Sequence, residues 1–157
     1  MRVTDTHVYF WGGEFSNWYT CNITYKGHQF YSSEQAFMWE KAMFFGDEEI
    51  AKIILRTPDP SEAKKLGRKV KDFNIDKWLF AGYQFMIDIN VEKYKQNEDL
   101  KIKLFSTGDK VFVEASPYDK ICGVGLKETD DNILDENKWN GLNLLGKALI
   151  EVREKLK

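Results

Sequence analysis

Ser32-Ser33-Glu34-Gln35-Ala36-Phe37-Met38-Trp39-Glu40-Lys41-Ala42 is the stretch on which the reading of this chain turns. It begins as a helix begins. The Ser32 hydroxyl can accept from the backbone N–H three residues on, and Gln35 can reach back to Ser32, the reciprocal capping-box pattern. Past the cap, Glu34, Phe37, Met38 and Lys41 follow at i, i+3, i+4 and i+7 and share one face. Phe37 and Met38 mark that face as the buried one, yet an acid and an amine stand at its ends. At about 1.5 Å of rise per residue their Cα atoms lie roughly 10 Å apart. That is too far for a good direct ion pair in most rotamers, and wide enough to hold part of a ligand. Two readings are open: the charges snorkel from the edges of an ordinary core stripe, or they face a bound molecule.

Toward the N-terminus the chain reads as β. Val8-Tyr9-Phe10-Trp11 is a short aromatic run stopped by Gly12-Gly13, and Asn22–Tyr25 and His28–Tyr31 flank Lys26-Gly27 as a hairpin would. Toward the C-terminus helices dominate. The Ser32 helix is expected to end near Gly46. Asp47 caps a second helix with Ile50, Ile53 and Ile54 on one side, and Thr57-Pro58 ends it. Asp59-Pro60-Ser61-Glu62 starts a third, whose buried side is Ala63, Leu66, Gly67 and Val70. The longest helical pattern runs from about Asp76 to Lys95 through Trp78, Gly82, Phe85, Met86 and Ile89. Asn97 caps a short helix carrying Leu100 and Leu104, and Val111-Phe112-Val113 reads as a strand after the Thr107-Gly108-Asp109 turn. Gly123–Gly125 and the polar run Glu128–Asn137 read as loop, and a last helix from about Leu142 turns Leu145, Leu149, Val152 and Leu156 inward. The expected fold is mainly α, a multihelical single domain over residues 1–157 with a few short strands.

A length of 157 residues suits one domain with a real core. Net charge is −2 and no basic run amounts to a nucleic-acid footprint. Aromatic residues make up 15% of the chain, a composition that builds cores and also offers faces for bases to stack on. Two cysteines, Cys21 and Cys122, do not make a disulfide framework. No Cys/His spacing suits zinc, so neither a metal nor a cofactor is expected. With His7 and His28 the only histidines, a His-based nucleophile triad has little to draw on. No signal segment or long apolar stretch is present, so the expected location is cytoplasmic.

Polar residues recur where a plain surface loop does not require them. Asn17 lies between aromatics in Phe15-Ser16-Asn17-Trp18, as a ligand contact or an Asn turn. Gly67-Arg68 puts a glycine inside a helix, which suggests close backbone approach, beside an arginine suited to a phosphate or a salt bridge. Val113-Glu114-Ala115-Ser116-Pro117-Tyr118-Asp119 leads from a strand to an acid, and Gly123-Val124-Gly125 follows. Trp139-Asn140-Gly141-Leu142-Asn143 precedes a helix whose free N–H groups can hold a phosphate, or Asn143 can simply cap it.

In order along the chain stand Phe15-Ser16-Asn17, Ser33-Glu34 with Lys41-Ala42, Ala63-Lys64 with Gly67-Arg68, and Gln96-Asn97 with Leu100. Val113-Glu114-Ala115-Ser116 with Asp119 and Gly123-Val124-Gly125 come next, then Trp139-Asn140-Gly141 with Asn143, Leu145-Gly146 and Arg153. This ordered set resembles the NADAR family, the YbiA-like proteins, over nearly the whole chain. The resemblance implies a compact, mostly helical N-glycosidase. Some members act on ribosylamino-pyrimidine phosphates of early riboflavin synthesis, and others remove ADP-ribose from guanine bases. It implies Glu34, Lys41 and Asp119 as catalytic residues, with the lysine acting covalently. Candidate substrate contacts are Phe10, Trp11, Asn17, Arg68, Trp78, Gly123, Gly125 and Asn143. The expected substrate is an ADP-ribosylated guanine nucleotide or nucleic acid, with no stable protein partner. Two departures bear on the pocket: many relatives have tryptophan where this chain has Cys122, and many have an arginine after Trp78 where Gly82 or a neighbour aligns. Cys122 is expected to be a small buried residue rather than a nucleophile.

The chemistry fits the residues on their own terms. Breaking a ribose C1′–N bond builds positive charge on the sugar and negative charge on the base, so an acid must protonate the base and a carboxylate can steady the sugar. A neutral lysine amine can capture C1′ as a Schiff base. A non-catalytic ADP-ribose-binding module would not need the Glu34–Lys41 pair. A purely structural interaction protein would not need Arg68, Asp119 and two glycine-rich tracts.

Overall fold

The Ser32 cap forms as its spacing predicts. In the computed structural model, which describes all residues from Met1 to Lys157, the Gln35 N–H donates to Ser32 Oγ at 3.1 Å. Helix α1 (Ser33–Phe44) follows two hairpin strands, β3 (Ile23–Tyr25) and β4 (His28–Phe30), and two earlier strands, β1 (Arg2–Val3) and β2 (His7–Phe10). After α1 come α2 (Glu48–Leu55), α3 (Pro60–Gly67), α4 (Ile75–Gln96), α5 (Glu98–Phe105), β5 (Val111–Glu114) and α6 (Leu144–Lys155). The fold is therefore multihelical with a few short strands. Its contacts divide the chain into two compact units, Asn17–Leu100 and Met1–Ser16 with Lys101–Lys157.

In the 17–100 unit, β3 and β4 pair antiparallel with Ile23 opposite Phe30. Lys26 (φ 49°) and Gly27 (φ 79°) are both left-handed, the backbone that a tight two-residue hairpin requires. Helix α1 packs against α2, α3 and α4, so it is buried almost all round: Ser33 through Glu40 and Ala42 are all inside. The expected single buried face is too narrow. The helix is central because its polar residues find partners on other elements. Gln35 Oε1 accepts from the Tyr31 N–H (2.8 Å), one residue before the expected Ser32, and its Nε2 donates to the Ile54 carbonyl (3.0 Å). Glu40 Oε2 accepts from the Tyr25 hydroxyl (2.9 Å) and from Lys26 Nζ (2.8 Å).

Asp47 and Asp59 cap α2 and α3 as read, accepting from Ile50 N–H (3.2 Å) and Ser61 N–H (2.9 Å). On α2, Ala51 and Ile54 are buried while Ile53 is largely exposed, so the inward side is rotated from the three isoleucines. A Cβ on Gly67 would run into the Met38 thioether, the close helix approach that the glycine predicted. Asn74 caps α4 through Lys77 N–H (3.0 Å). Asn97, expected to cap α5, instead donates its side-chain amide to the carbonyls of Asn22 (3.0 Å) and Lys93 (2.8 Å).

In the other unit, the sheet order is β1-β2-β5, with β1 antiparallel to β2 and β2 parallel to β5. The polar run read as loop folds into two 3-10 turns, Asp131–Leu134 and Glu136–Lys138, because Asp130 and Asp135 accept from the N–H groups of Asn132 and Asn137. Helix α6 packs on β5, and a Cβ on Gly146 would strike the Phe112 carbonyl and the Asn143 side chain. The Phe112 carbonyl is backbone, which cannot swing aside. Gly146→Ala is expected to destabilise the protein by about 1–3 kcal/mol, lowering Tm by roughly 2–4 °C per kcal/mol. Thermal unfolding with an unchanged midpoint would contradict this close approach.

Candidate active site

Helix α1 sets Glu34 and Lys41 into the 17–100 unit in different ways. Glu34 lies in the first turn, 7% exposed. Its N–H donates to the Asn17 carbonyl at 2.8 Å. Asn17 is itself fixed, because its Oδ1 accepts from Asn90 Nδ2 (3.2 Å), while Asn90 Oδ1 accepts from Ser33 Oγ (3.0 Å). Asn17, one of the predicted contacts, thus anchors the start of the helix that carries the acid.

Lys41 is half-buried near the other end. Its Nζ lies 4.3 Å from the centroid of the Phe73 ring. Burial pushes the Lys41 amine below the ordinary lysine value. The Glu34 carboxylate opposes that shift, and the cations Arg68 and Lys64 reinforce it. The amine therefore sits in a mixed field with burial as the largest influence. Arg68 is the exposed C-cap of α3, and Lys64 Nζ stands 5.9 Å from the Trp18 ring. One acid, one depressed amine and two further cations thus gather on α1 and α3, with Trp18 and Phe73 at their margin. Sequence reasoning placed Glu34, Lys41 and Arg68 but missed Lys64 and Phe73. The i,i+4 spacing of Lys64 and Arg68 on one helix face was the available signal. Trp78, expected as a substrate contact, is buried among Phe37, Phe44, Phe45 and Phe85.

The remaining predicted residues lie in the other unit, at the C-terminal ends of β2 and β5. Phe10 is buried against Phe15, and Trp11 emerges directly after it. Asp119 Oδ1 accepts from the N–H groups of Ile121 (2.9 Å) and Cys122 (2.8 Å). Gly123 and Gly125 serve a tight stitch. Asn143 N–H donates to the Gly123 carbonyl (3.1 Å), and Asn140 N–H to that of Val124 (2.8 Å). Any Cβ on Gly123 would meet the carbonyls of Asp119 and Glu114 at 2.9 Å. Asn143, read as a helix cap or phosphate contact, makes no side-chain cap. It is buried in left-handed backbone, and its carboxamide clamps β5, accepting from Glu114 N–H (3.0 Å) and donating to the Phe112 carbonyl (2.9 Å). Cys122 is half-buried and forms no disulfide. Its thiol and the carboxylates of Glu114 and Asp119 each offer one atom within 4.8 Å of the others, the one grouping of side chains that could hold a metal ion.

The first long helix of this multihelical fold thus carries a buried acid and a lysine amine depressed by burial. A NADAR domain model matches residues 9–157, through both units, and the chain belongs to the NADAR family. It is 39% identical to N-glycosidase R617 of Acanthamoeba polyphaga mimivirus, over 96% of each chain. It is 29% identical to the riboflavin biosynthesis protein VVA0006 of Vibrio vulnificus, covering 99% of this chain and 40% of that protein. The NMR structure of the E. coli protein YbiA superposes with a TM-score of 0.79 at 28% identity, over 99% of this chain and 87% of YbiA. These relatives support an N-glycosidase, a hydrolase of glycosylated bases. No helix is long and apolar enough to cross a membrane.

Proposed function

We propose that this chain is a cytoplasmic N-glycosidase that hydrolyses a ribose C1′–N bond to free ADP-ribose from a guanine base, and that residues 1–157 act as one domain. The observation that carries the reading is the Lys41 amine, half-buried under Phe73 and depressed by burial, Arg68 and Lys64. A lysine used only as a surface charge has no need of that setting. A lysine that must attack as a neutral amine does.

In the proposed reaction the Lys41 nitrogen bonds to C1′ and the C1′–N bond breaks. The electron pair leaves with the base, which takes a proton from an acid. Opening of the ribose ring gives an imine between C1′ and Nζ. Water then adds to C1′, the C1′–Nζ bond breaks, and ribose and free amine are restored. Glu34 steadies positive charge on the sugar and relays protons during imine formation and hydrolysis. Arg68 and Lys64 are suited to the phosphates of ADP-ribose. A second substrate class, ribosylamino-pyrimidine phosphates, is kept in view by the relative named for riboflavin biosynthesis. Incubation of the pure protein with ADP-ribosylated guanosine and, separately, with those phosphates decides between them. Guanosine release from the first supports the proposal. Turnover of the second alone replaces the substrate, and turnover of neither contradicts the enzyme reading.

If Arg68 grips phosphate, Arg68→Ala is expected to raise KM for a phosphorylated substrate about tenfold or more, the scale of a lost charged hydrogen bond. The unphosphorylated nucleoside should be little changed. An equal loss on both substrates would assign Arg68 to structure instead.

A further inference from the structure

The connection from α3 to α4 passes beside the Lys41 amine. Residues 68–74 join the two helices, and Phe73 lays its ring against Lys41, with 4.3 Å from Nζ to the ring centroid. The ring is 43% exposed, so it is not a core residue. It also meets the Phe45 ring edge-on at 5.4 Å, just past the end of α1.

The backbone on both sides of Phe73 is fixed. Val70 is buried. The Lys71 N–H donates to Asp47 Oδ2 at 3.0 Å, and Asn74 caps α4. Only Asp72 and Phe73 lie between these two anchors. Asp72 is left-handed (φ 57°), a backbone uncommon outside glycine that persists where the surrounding structure holds it. The other two such residues of this chain, Lys26 and Asn143, form the hairpin turn and the clamp on β5. Asp72 thus turns the chain immediately before the ring.

Asp47 has two tasks. Its Oδ1 caps α2 through the Ile50 N–H, and its Oδ2 reaches across to the connection. Its own N–H donates to the carbonyl of Ala42 at 2.8 Å, one residue past Lys41. The anchor of the connection is therefore tied to the helix that carries the amine. The Lys71 bond above all holds the Asp47 carboxyl below its ordinary value, so it stays an ionised acceptor wherever an amine titrates.

A ring against an ammonium acts in two opposed ways. Its face attracts the cation. Its bulk keeps water away and so penalises the charge. Glu34, on the same helix, favours the ammonium, while Arg68 and Lys64 on α3 disfavour it. The charged residues of the connection itself, Lys69, Lys71 and Asp72, are exposed, and what it lays against Nζ is an uncharged ring. Burial is the largest influence on this amine, which puts the exclusion of water ahead of the attraction.

We propose that Phe73 is a positioning residue, held by the connection against Lys41 Nζ so that one side of the amine is closed to water, and that Asp47 acts through Lys71 to keep it there. The proposal rests on the attack by Lys41 only for its effect on turnover.

The test reads the amine without a substrate. Competitive labelling of the intact protein with acetic anhydride across pH, followed at the Lys41 peptide by mass spectrometry, gives a midpoint that reports protonation and a plateau that reports access. The other lysines serve as reference. Phe73→Ala is expected to move the Lys41 midpoint up, toward the ordinary 10.5, and to cut the neutral fraction at neutral pH roughly three- to tenfold, tenfold being the change for one pH unit. Phe73→Leu keeps an apolar shield and should hold the midpoint at or below that of the parent. Asp47→Asn keeps the cap oxygen but sets an amide N–H₂ where Lys71 needs an acceptor, and should move the midpoint up by a smaller amount. Loss of the ring's attraction, or of the Asp47 charge, would by itself move the midpoint down, so an upward shift reads the loosened shield. A midpoint unchanged or lower in Phe73→Ala overturns the shield, and one unchanged or lower in Asp47→Asn overturns the anchor. Melting temperatures check each fold, and Asp47→Asn, which leaves the ring itself in place, carries the test where Phe73→Ala does not fold. In turnover, both upward-shifting variants should move the rising limb of the rate to higher pH. A labelling shift in a protein that releases no base keeps the shield and removes the enzymatic reading, so the two failures are distinguishable.

Discussion

Glu34→Gln is expected to slow turnover by about a hundred- to ten-thousandfold, the usual worth of a positioned acid or base, while the protein still folds. Glutamine has the same shape, and the Glu34 backbone bond to the Asn17 carbonyl does not involve the side chain. What disappears is the negative charge and the ability to carry a proton. The charge also faces the positive N-terminus of α1, so its loss is expected to cost about 0.3–1 kcal/mol of stability. That is a shift of a few degrees at most in a domain of this size, far too small to explain a hundredfold loss of rate. A folded Glu34→Gln protein with near-parental kinetics would remove Glu34 from the catalytic machinery.

Replacing Lys41 is expected to have the larger effect. Lys41→Ala removes the nucleophile. Lys41→Arg keeps a positive charge and much of the bulk, yet guanidinium stays protonated and cannot attack C1′. Both variants should lose essentially all turnover, and the failure of arginine separates nucleophilic from electrostatic roles. The pH profile gives an independent check. The attacking form is the neutral amine, so the rate should rise with pH through the Lys41 pKa, and that limb should lie below the ordinary lysine value of 10.5. Removing the Arg68 cation stabilises the Lys41 ammonium, so Arg68→Ala should move the limb to higher pH. A limb that stays in place, or moves down, would contradict the electrostatic picture around the amine.

Much of the fold was legible because local signals and tertiary structure agree. The caps Ser32, Asp47 and Asp59 each hold a helix start, and Lys26-Gly27 makes the hairpin turn. The misreadings share a physical cause. Periodicity counts apolar residues, and so it gave α1 one buried face. The helix is buried all round because Ser33, Gln35 and Glu40 are satisfied by Asn90, Ile54 and Tyr25, residues distant in sequence. Asn97 reads as a local cap and Asn143 as a phosphate contact or a cap, yet both bond to segments far along the chain. For the candidate site, Glu34 and Lys41 were marked by charges on an apolar face. Phe73 over the amine came only from folding. Nothing in spacing predicts which aromatic of many will lie against a given lysine.

The most direct measurement is covalent trapping at Lys41. Borohydride added during single turnover of an ADP-ribosylated guanosine reduces an imine to a stable amine, and peptide mass spectrometry then locates it. The expected result is the sugar, as ADP-ribose, attached to the peptide containing Lys41, with no adduct in Lys41→Ala. Turnover without any adduct at Lys41 would contradict the covalent route and leave direct attack by water, with Glu34 as the base.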